Sequence, residues 1–152
     1  MLKMRPSRKQ LPHEIPDWVD PDRAAYFITI CCDVRGTNQL TKDGVADSLL
    51  DTIRHRHEKR EWYVQLALRM PDHVHFITLF PETEKRTQTV VSKWKEWTAK
   101  TVKVKWQRDF FEHRLRTTES FDEEADYILL NPLRAGLVER VEERPYVFIA
   151  EP

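Results

Sequence analysis

The sequence predicts an α+β fold in which helices pack on an antiparallel sheet. Three observations predict it. Segments rich in β-branched and aromatic residues alternate with segments whose apolar residues recur at helical spacing. The segment 74–80 is apolar on both of its alternating sides, so both faces of the sheet need a cover. The chain of 152 residues is long enough for one domain with its own core.

The first half of the chain supplies a strand, a helix and a hairpin. Residues 23–33 contain Tyr-Phe-Ile-Thr-Ile and precede a turn with Gly36, which indicates a strand. Residues 43–58 have the periodicity of a helix. Residues 61–69 and 74–80 are strands joined by the turn formers Pro71 and Asp72. The apolar stripe of the helix is Val45, Leu49 and Ile53, with Leu50 beside them.

The second half supplies two helices and one more strand. Residues 87–104 read as a long helix, and residues 106–116 as a strand or extended edge. A third helix is expected to begin with either Thr118 or Ser120 as its N-terminal cap and to run to about Leu130. It stops at Asn131-Pro132, because proline disfavours helix at the residue before it. The core-facing residues of the second helix are Val90, Val91, Trp94, Trp97 and Thr101.

The resulting order, β-α-β-β-α-β-α, matches a ferredoxin-like split βαβ sandwich with an antiparallel sheet. The first two helices cover one face, and the third helix, which carries a tyrosine, lies over the open face. We divide the chain into a basic, proline-rich arm (1–22), a catalytic unit (23–140) and a C-terminal tail (141–152) that docks as an extended piece.

Two histidines stand at the start of the strand after the Pro71-Asp72 turn. Side chains alternate along a strand, so His73 and His75 point to the same side and can share one cation. A bare H-x-H is a weak signal of a metal site, because most histidine pairs at this spacing are only polar residues at the mouth of a strand. His55 and His57 have the same spacing on a helix, where they diverge, so we interpret them as surface residues.

The third helix carries Tyr127 and Asn131 at i and i+4, hence on one face. If this helix lies over the histidines, a phenol and an amide oxygen reach the same place. Two imidazoles and an amide oxygen with open positions suit Mg²⁺ or Mn²⁺ better than a closed zinc site. Alternatively, Tyr127 is a packing residue and Asn131 only ends the helix.

Composition excludes some functions. The chain has three glycines and no glycine-rich phosphate loop, so ATP- and NAD-dependent chemistry has no support in the sequence. Cys31 and Cys32 are adjacent and read as free thiols, which suits a reducing cytoplasm. No signal peptide or membrane span is expected. The formal net charge is zero, but basic residues cluster on the arm and around 93–108, which is compatible with a groove that tracks phosphates and equally with a solvated surface.

These motifs resemble a known family. Met70-Pro71-Asp72-His73-Val74-His75 resembles the HUH motif of single-tyrosine transposases. Trp106-Gln107, followed by Tyr127-Ile128-Leu129-Leu130-Asn131-Pro132-Leu133-Arg134-Ala135-Gly136-Leu137-Val138, resembles the branch called REP-associated tyrosine transposases. The resemblance covers roughly residues 23–140 and is specific because both motifs occur together.

The resemblance implies an enzyme that cleaves and rejoins single-stranded DNA at hairpins of repetitive extragenic palindromes (REP elements) through a 5′-phosphotyrosine. By position, Tyr127 is the nucleophile and His73 and His75 bind Mg²⁺ or Mn²⁺. Asn131 stands where related transposases carry a glutamine and is the implied third ligand. No nucleotide cofactor is needed, and a bacterial cytoplasm, at the nucleoid, is the expected location. The candidate contacts to the DNA backbone are Arg5, Arg8, Lys93, Lys95, Arg108, Arg114, Arg116 and Arg134.

Two other functions stay open at this point. The protein could hold structured single-stranded nucleic acid without cutting it, which the neutral charge and Asn131 both allow. It could also hydrolyse a substrate with water, using the same histidines but no covalent intermediate. No membrane partner is expected, and the sequence is compatible with a monomer or a homodimer; the short connection before the third helix favours a tyrosine that acts within its own chain.

Overall fold

The structure, a computed structural model, describes residues 17–19, 25–42, 44–81, 87–115, 118–136 and 147–149. Most of the predicted arm lies outside the described residues, including Arg5 and Arg8, and so does Arg116. The predicted division into arm, catalytic unit and tail stays a prediction. No helix in the described ranges is long and apolar enough to cross a membrane.

The described chain forms a five-stranded antiparallel sheet and three helices, as the sequence predicts. The elements are β1 (Ala25–Cys31), α1 (Val45–Glu58), β2 (Tyr63–Arg69), β3 (His73–Leu79), α2 (Thr87–Thr101), β4 (Phe111–Leu115), α3 (Thr118–Arg134) and β5 (Val147–Ile149). The strand order is β4-β1-β3-β2-β5, which is the split βαβ arrangement with one short strand added by the tail. The histidine strand β3 therefore lies at the centre of the sheet.

Strand alternation divides the sheet into two faces with separate cores. Val74 and Phe76 of β3 belong to the core under α1 and α2, whereas Ile77 belongs to the core under α3. The first core includes Ile28, Ile30, Leu49, Ile53, Trp62, Val90, Val91 and Trp94. The second core includes Phe27, Leu66, Leu68, Met70, Leu115, Phe121, Ala125, Ile128 and Leu129. The prediction that the third helix covers the face opposite the first two is confirmed.

Helix α3 is longer than predicted. It continues through Pro132 to Arg134, so the predicted end at Asn131-Pro132 is wrong. Proline removes one N–H donor and crowds the carbonyl four residues before it, but here only Leu133 and Arg134 follow it in the helix, so little of the helix is affected. The Ala135 N–H still donates to the Asn131 carbonyl (2.9 Å), and Gly136, with φ +72°, ends the helix. Asn131 is therefore in helical register with Tyr127.

Two further predictions about packing are wrong. Trp94 is fully buried, but Trp97 is 49% exposed and Thr101 is exposed as well, because the inward position of the next turn of α2 belongs to Thr98. The Thr98 hydroxyl lies 2.9 Å from Trp106 Nε1, which donates to it. His57 is not a surface residue: its ring stacks on Tyr63 at 5.0 Å between centroids, and its Nδ1 accepts the Val64 N–H.

Candidate active site

His73 and His75 project from the same side of β3, towards α3. Their ring centroids lie 4.7 Å apart at an angle of 76°. His75 is only 6% exposed, and its ring stacks on Phe27 of β1 at 5.4 Å. His73, one strand period earlier, is less buried and lies nearer the turn. The period of the strand thus brings two imidazoles together at one end of the sheet.

Each imidazole has its Nδ1 atom engaged by a neighbour. Nδ1 of His75 lies 2.9 Å from the Thr29 hydroxyl, and Nδ1 of His73 lies 2.7 Å from Asp72 Oδ1. With Nδ1–H donating to these oxygens, the lone pair of each ring is on Nε2. A carboxylate or hydroxyl behind a histidine is the usual arrangement where the other ring nitrogen binds a metal.

Asp72 is itself held by the turn after β1. Its Oδ2 accepts the Arg35 Nε–H and the Gly36 backbone N–H, each at 2.9 Å. Burial alone raises the pKa of Asp72, but the hydrogen bonds from Gly36, His73 and Arg35 outweigh it and hold the pKa well below the usual range. Gly36 has φ +82°, a conformation that glycine adopts without strain. The carboxylate behind His73 is therefore fixed in place and charged.

Helix α3 brings a phenol and an amide to the histidines. Asn131 Nδ2 lies 3.1 Å from His75 Nε2, and the Tyr127 ring lies 6.4 Å from the His75 ring. Tyr127 is 50% exposed, so its hydroxyl is accessible to a large substrate. The Arg134 guanidinium lies 4.5 Å from the centre of the Tyr127 ring and donates to the Tyr127 carbonyl at 2.6 Å. One helix thus delivers three functional groups to one place.

Burial keeps His75 neutral. Loss of solvent lowers the pKa of His75 to about 3, and the charges of His73, Arg134 and Arg35 contribute in the same direction. A neutral imidazole retains the lone pair that a metal ligand needs. At physiological pH His75 can therefore accept a hydrogen bond or bind a cation.

Two imidazoles and one amide are the groups at this site that could hold a divalent cation. In the part of the chain that the structure describes, no group of three His, Cys, Asp or Glu side chains could hold a metal. His73 and His75 supply two nitrogens, and Asn131 is the third donor within reach of His75. The sequence led us to expect its carbonyl oxygen there, whereas the amide nitrogen faces the imidazole; a half-turn of the amide exchanges the two atoms.

The predicted phosphate contacts are not all located at Tyr127. Lys93 and Arg108 are exposed, and Arg114 is exposed opposite Tyr26, whose side chain packs in the core of the other face. Lys95 donates to the carbonyls of Gln107 and Arg108, both at 2.8 Å, so it stabilises the loop before β4. Among the described members of this set, Arg134 is the one beside Tyr127.

Thr29, Arg35 and Gly36 are residues of the site that the sequence reasoning missed. Thr29 is a polar residue in an otherwise apolar strand, which is the one local signal that could have drawn attention to it. Its partner His75 is 46 residues away, and Arg35 is 37 residues from Asp72. These pairs depend on strand pairing and turn geometry.

The chain is similar to proteins of one kind, although no protein-family model matches it. It is 33% identical over 82 residues to the REP-associated tyrosine transposase of Escherichia coli (strain K12), a match that covers 51% of this chain and 48% of that one. The chain thus spans about half the length of this relative. It is 28% identical over 137 residues to the Haemophilus influenzae protein named "Putative REP-associated tyrosine transposase", covering 80% of this chain and 77% of that one.

A solved structure has the same fold. It is a REP-associated tyrosine transposase bound to a REP hairpin, with a TM-score of 0.73, 23% identity, and coverage of 90% of this chain and 82% of the other. The resemblance to REP-associated tyrosine transposases that the sequence motifs indicate is confirmed by these matches.

Proposed function

Because the chain resembles REP-associated tyrosine transposases in sequence and in fold, we propose that it cleaves and rejoins single-stranded DNA beside a hairpin, with Tyr127 as the nucleophile. One observation carries the proposal: α3 lays Tyr127 and Asn131 over the two histidines of β3, with Asn131 Nδ2 3.1 Å from His75 Nε2. All four side chains belong to one chain. The E. coli and H. influenzae relatives are named as REP-associated tyrosine transposases, which supports a REP-like hairpin as the substrate.

The reaction is a balanced exchange of phosphoesters. The Tyr127 oxygen loses its proton and attacks a backbone phosphorus, forming a bond from the tyrosine oxygen to phosphorus. The bond from phosphorus to the 3′ oxygen breaks, and this oxygen takes up a proton as a 3′-OH. The 5′ end is left linked to the tyrosine. Attack by a 3′-OH on this link reverses the sequence and rejoins DNA, so no nucleotide cofactor supplies energy.

The chain's own residues prepare this step. His73 and His75, oriented by Asp72 and Thr29, and Asn131 would hold Mg²⁺ or Mn²⁺. When bound, such a cation polarises the phosphate and neutralises its developing charge. Arg134 places a positive charge beside the Tyr127 ring, where it meets the phosphate that the tyrosine attacks. The half-exposed position of Tyr127 admits a polynucleotide.

The proposal is tested by trapping the covalent link. Protein, Mn²⁺ and labelled hairpins with randomised single-stranded flanks are incubated and separated under denaturing conditions. We expect an adduct with the wild type and none with Tyr127→Phe, while hairpin binding stays within about threefold, since one hydroxyl is a small part of a nucleic-acid interface. Tyr26→Phe, at a tyrosine that packs against the other core, is the matched control and should form the adduct normally.

The other outcomes separate the competing functions. Cleavage by the Tyr127→Phe variant would assign the attack to water and refute the tyrosine mechanism. Hairpin binding without any adduct, in Mg²⁺ or Mn²⁺ and unchanged in His73→Ala, would mean a non-cleaving binding protein. Chelation with EDTA should abolish the adduct, and its persistence would refute the role of the cation.

A further inference from the structure

Helix α3 leaves part of the histidine face of the sheet uncovered. It packs on β2 and β3 and reaches the end of β4 at Leu115, which is 4% exposed. At the other end of β4, Phe111 is 58% exposed, the largest exposure among the large apolar side chains in the described ranges. Single exposed apolar side chains are common on proteins, but this aromatic ring stands at the edge of the sheet on the face that carries the candidate active site.

Phe111 lies in the same cross-strand row as the site. It pairs with Thr29 of β1, and Thr29 pairs with His75 of β3. Paired residues of an antiparallel sheet point to the same face, so Phe111 and His75 share a face two strands apart, or about 10 Å. The rings are also connected: Phe111 contacts Phe27 edge-on at 6.3 Å, and Phe27 stacks on His75 at 5.4 Å. The exposed ring is thus continuous with the site.

We propose that Phe111 is a stacking platform for one unpaired nucleobase that adjoins the phosphate attacked by Tyr127. This inference rests on the proposed function, and it names a subsite of that function. Every base has a face that stacks on an aromatic ring, and a ring about 10 Å from His75 is within reach of a nucleotide next to a phosphate bound at the histidines. The buried Phe27 holds the ring from one side and leaves the rest open.

Stacking here would turn a flexible strand into an aligned one. A single-stranded phosphate can approach Tyr127 in many orientations, and a base fixed to one side of it removes much of this freedom. Phe111 therefore acts in two ways: it adds affinity, and it positions the phosphate for in-line attack. Phe111 lies on the α3 face of the sheet. The exposed Trp97 belongs to α2, on the opposite face.

The test is a double-mutant cycle between the protein and the DNA. Binding is measured in the Tyr127→Phe background, so that no cleavage occurs, on the best hairpin from the randomised pool. Each single-stranded nucleotide is replaced in turn by an abasic one. In this background, Phe111→Ala should weaken binding of the intact hairpin by about 5- to 100-fold. Removal of one particular base from the hairpin should weaken its binding to the protein with Phe111 by the same factor. The two changes together should cost no more than either alone.

Three controls keep the result specific. Phe111→Trp should retain affinity, whereas Phe111→Leu, which is apolar but has no ring face, should lose it. Trp97→Ala removes an aromatic side chain that is also about half exposed, from the other face, and should leave binding unchanged. Thermal unfolding of each variant should match the parent, since an exposed side chain contributes little to the core.

Three results would overturn the inference. The effects of Phe111→Ala and of base removal could add at every position, Phe111→Ala could leave binding unchanged, or it could dissociate a dimer and so assign the ring to contact with a second copy. Failure of the proposed function looks different, because no hairpin would then form an adduct with the wild type, whatever residue stands at 111.

Discussion

The substitution Thr29→Val tests how the site is built. Valine has the shape of threonine but cannot bond His75 Nδ1, which lies 2.9 Å from the hydroxyl. His75 is almost fully buried, so its unpaired N–H costs about 1–3 kcal/mol. The ring can escape this cost by moving its proton to Nε2 and donating it to Oδ1 of Asn131, once a half-turn of the amide has replaced Nδ2 by Oδ1, but it then loses the Nε2 lone pair that a cation needs. Each 1.4 kcal/mol favouring that tautomer weakens cation binding about tenfold.

We expect Thr29→Val to bind Mn²⁺ about 10- to 100-fold more weakly, the usual cost of removing a partner behind a metal-binding histidine. Free Mn²⁺ measured by electron paramagnetic resonance reports this affinity without any activity assay. Thr29→Ser keeps the hydroxyl and should retain most of the affinity. Thr98→Val removes a buried hydroxyl that binds Trp106 on the other face, so it controls for loss of stability alone. Unchanged Mn²⁺ affinity in a folded Thr29→Val protein would refute the assigned tautomer.

Three more changes test the surroundings of the site. Asp72→Asn removes the charge behind His73, and we expect covalent adduct formation to fall about 10- to 100-fold with hairpin affinity unchanged; an equal rate would show that the carboxylate is dispensable. Gly36→Ala meets no atom within 4 Å but must adopt φ +82°, so urea unfolding should show a loss of about 1–2 kcal/mol, and no loss would mean that the turn relaxes. Burial lowers the pKa of the His57 imidazole. Below about pH 6.5 the unfolded chain therefore binds a proton that the folded chain does not bind, and the free energy of unfolding decreases as the pH decreases. His57→Phe should lower the free energy of unfolding by about 1 kcal/mol near pH 7.5, because the Val64 N–H loses its acceptor. When the pH is lowered to about 5.5, the variant should lose less additional stability than the wild type. Parallel stability–pH profiles of the two proteins would contradict this.

The sequence predicted the fold well because its strands are strongly patterned. Alternation along β3 assigned Val74 and Phe76 to one face and Ile77 to the other, and the structure places them so. The wrong predictions concern single positions, where the hydrophobic periodicity of the sequence does not decide which residue faces the core or where a helix ends. Thr98 occupies the inward position of α2 that we gave to Trp97, because its hydroxyl is paired by Trp106. Helix α3 continues through the buried Pro132 to Arg134, although propensity alone would end it before the proline.

The candidate site divides in the same way. The side-chain periods of a strand and of a helix sufficed to put His73 beside His75 and Tyr127 beside Asn131. They could not show what stands behind the imidazoles. The hydrogen-bond partners of His75 come from β1 and from α3. The pairing register of β1 with β3 and the position of α3 on the sheet cannot be read from the sequence. Asp72 was visible as a turn former, but its role depends on the carboxylate bridging Arg35 and His73.

The chemistry of the site depends on the rotation of α3 about its own axis. Ala125, Ile128 and Leu129 are buried in the core below the helix, and their burial fixes that rotation. Residues of a helix are about 100° apart around its axis, so Tyr127 lies about 100° beyond Ile128, outside the buried stripe, and Asn131, one turn further along, lies between the two. A rotation by one residue would move Tyr127 away from His75 and bury a polar group. The apolar side of the helix therefore determines where its reactive side lies, which makes a correctly packed core a requirement for a correctly placed nucleophile.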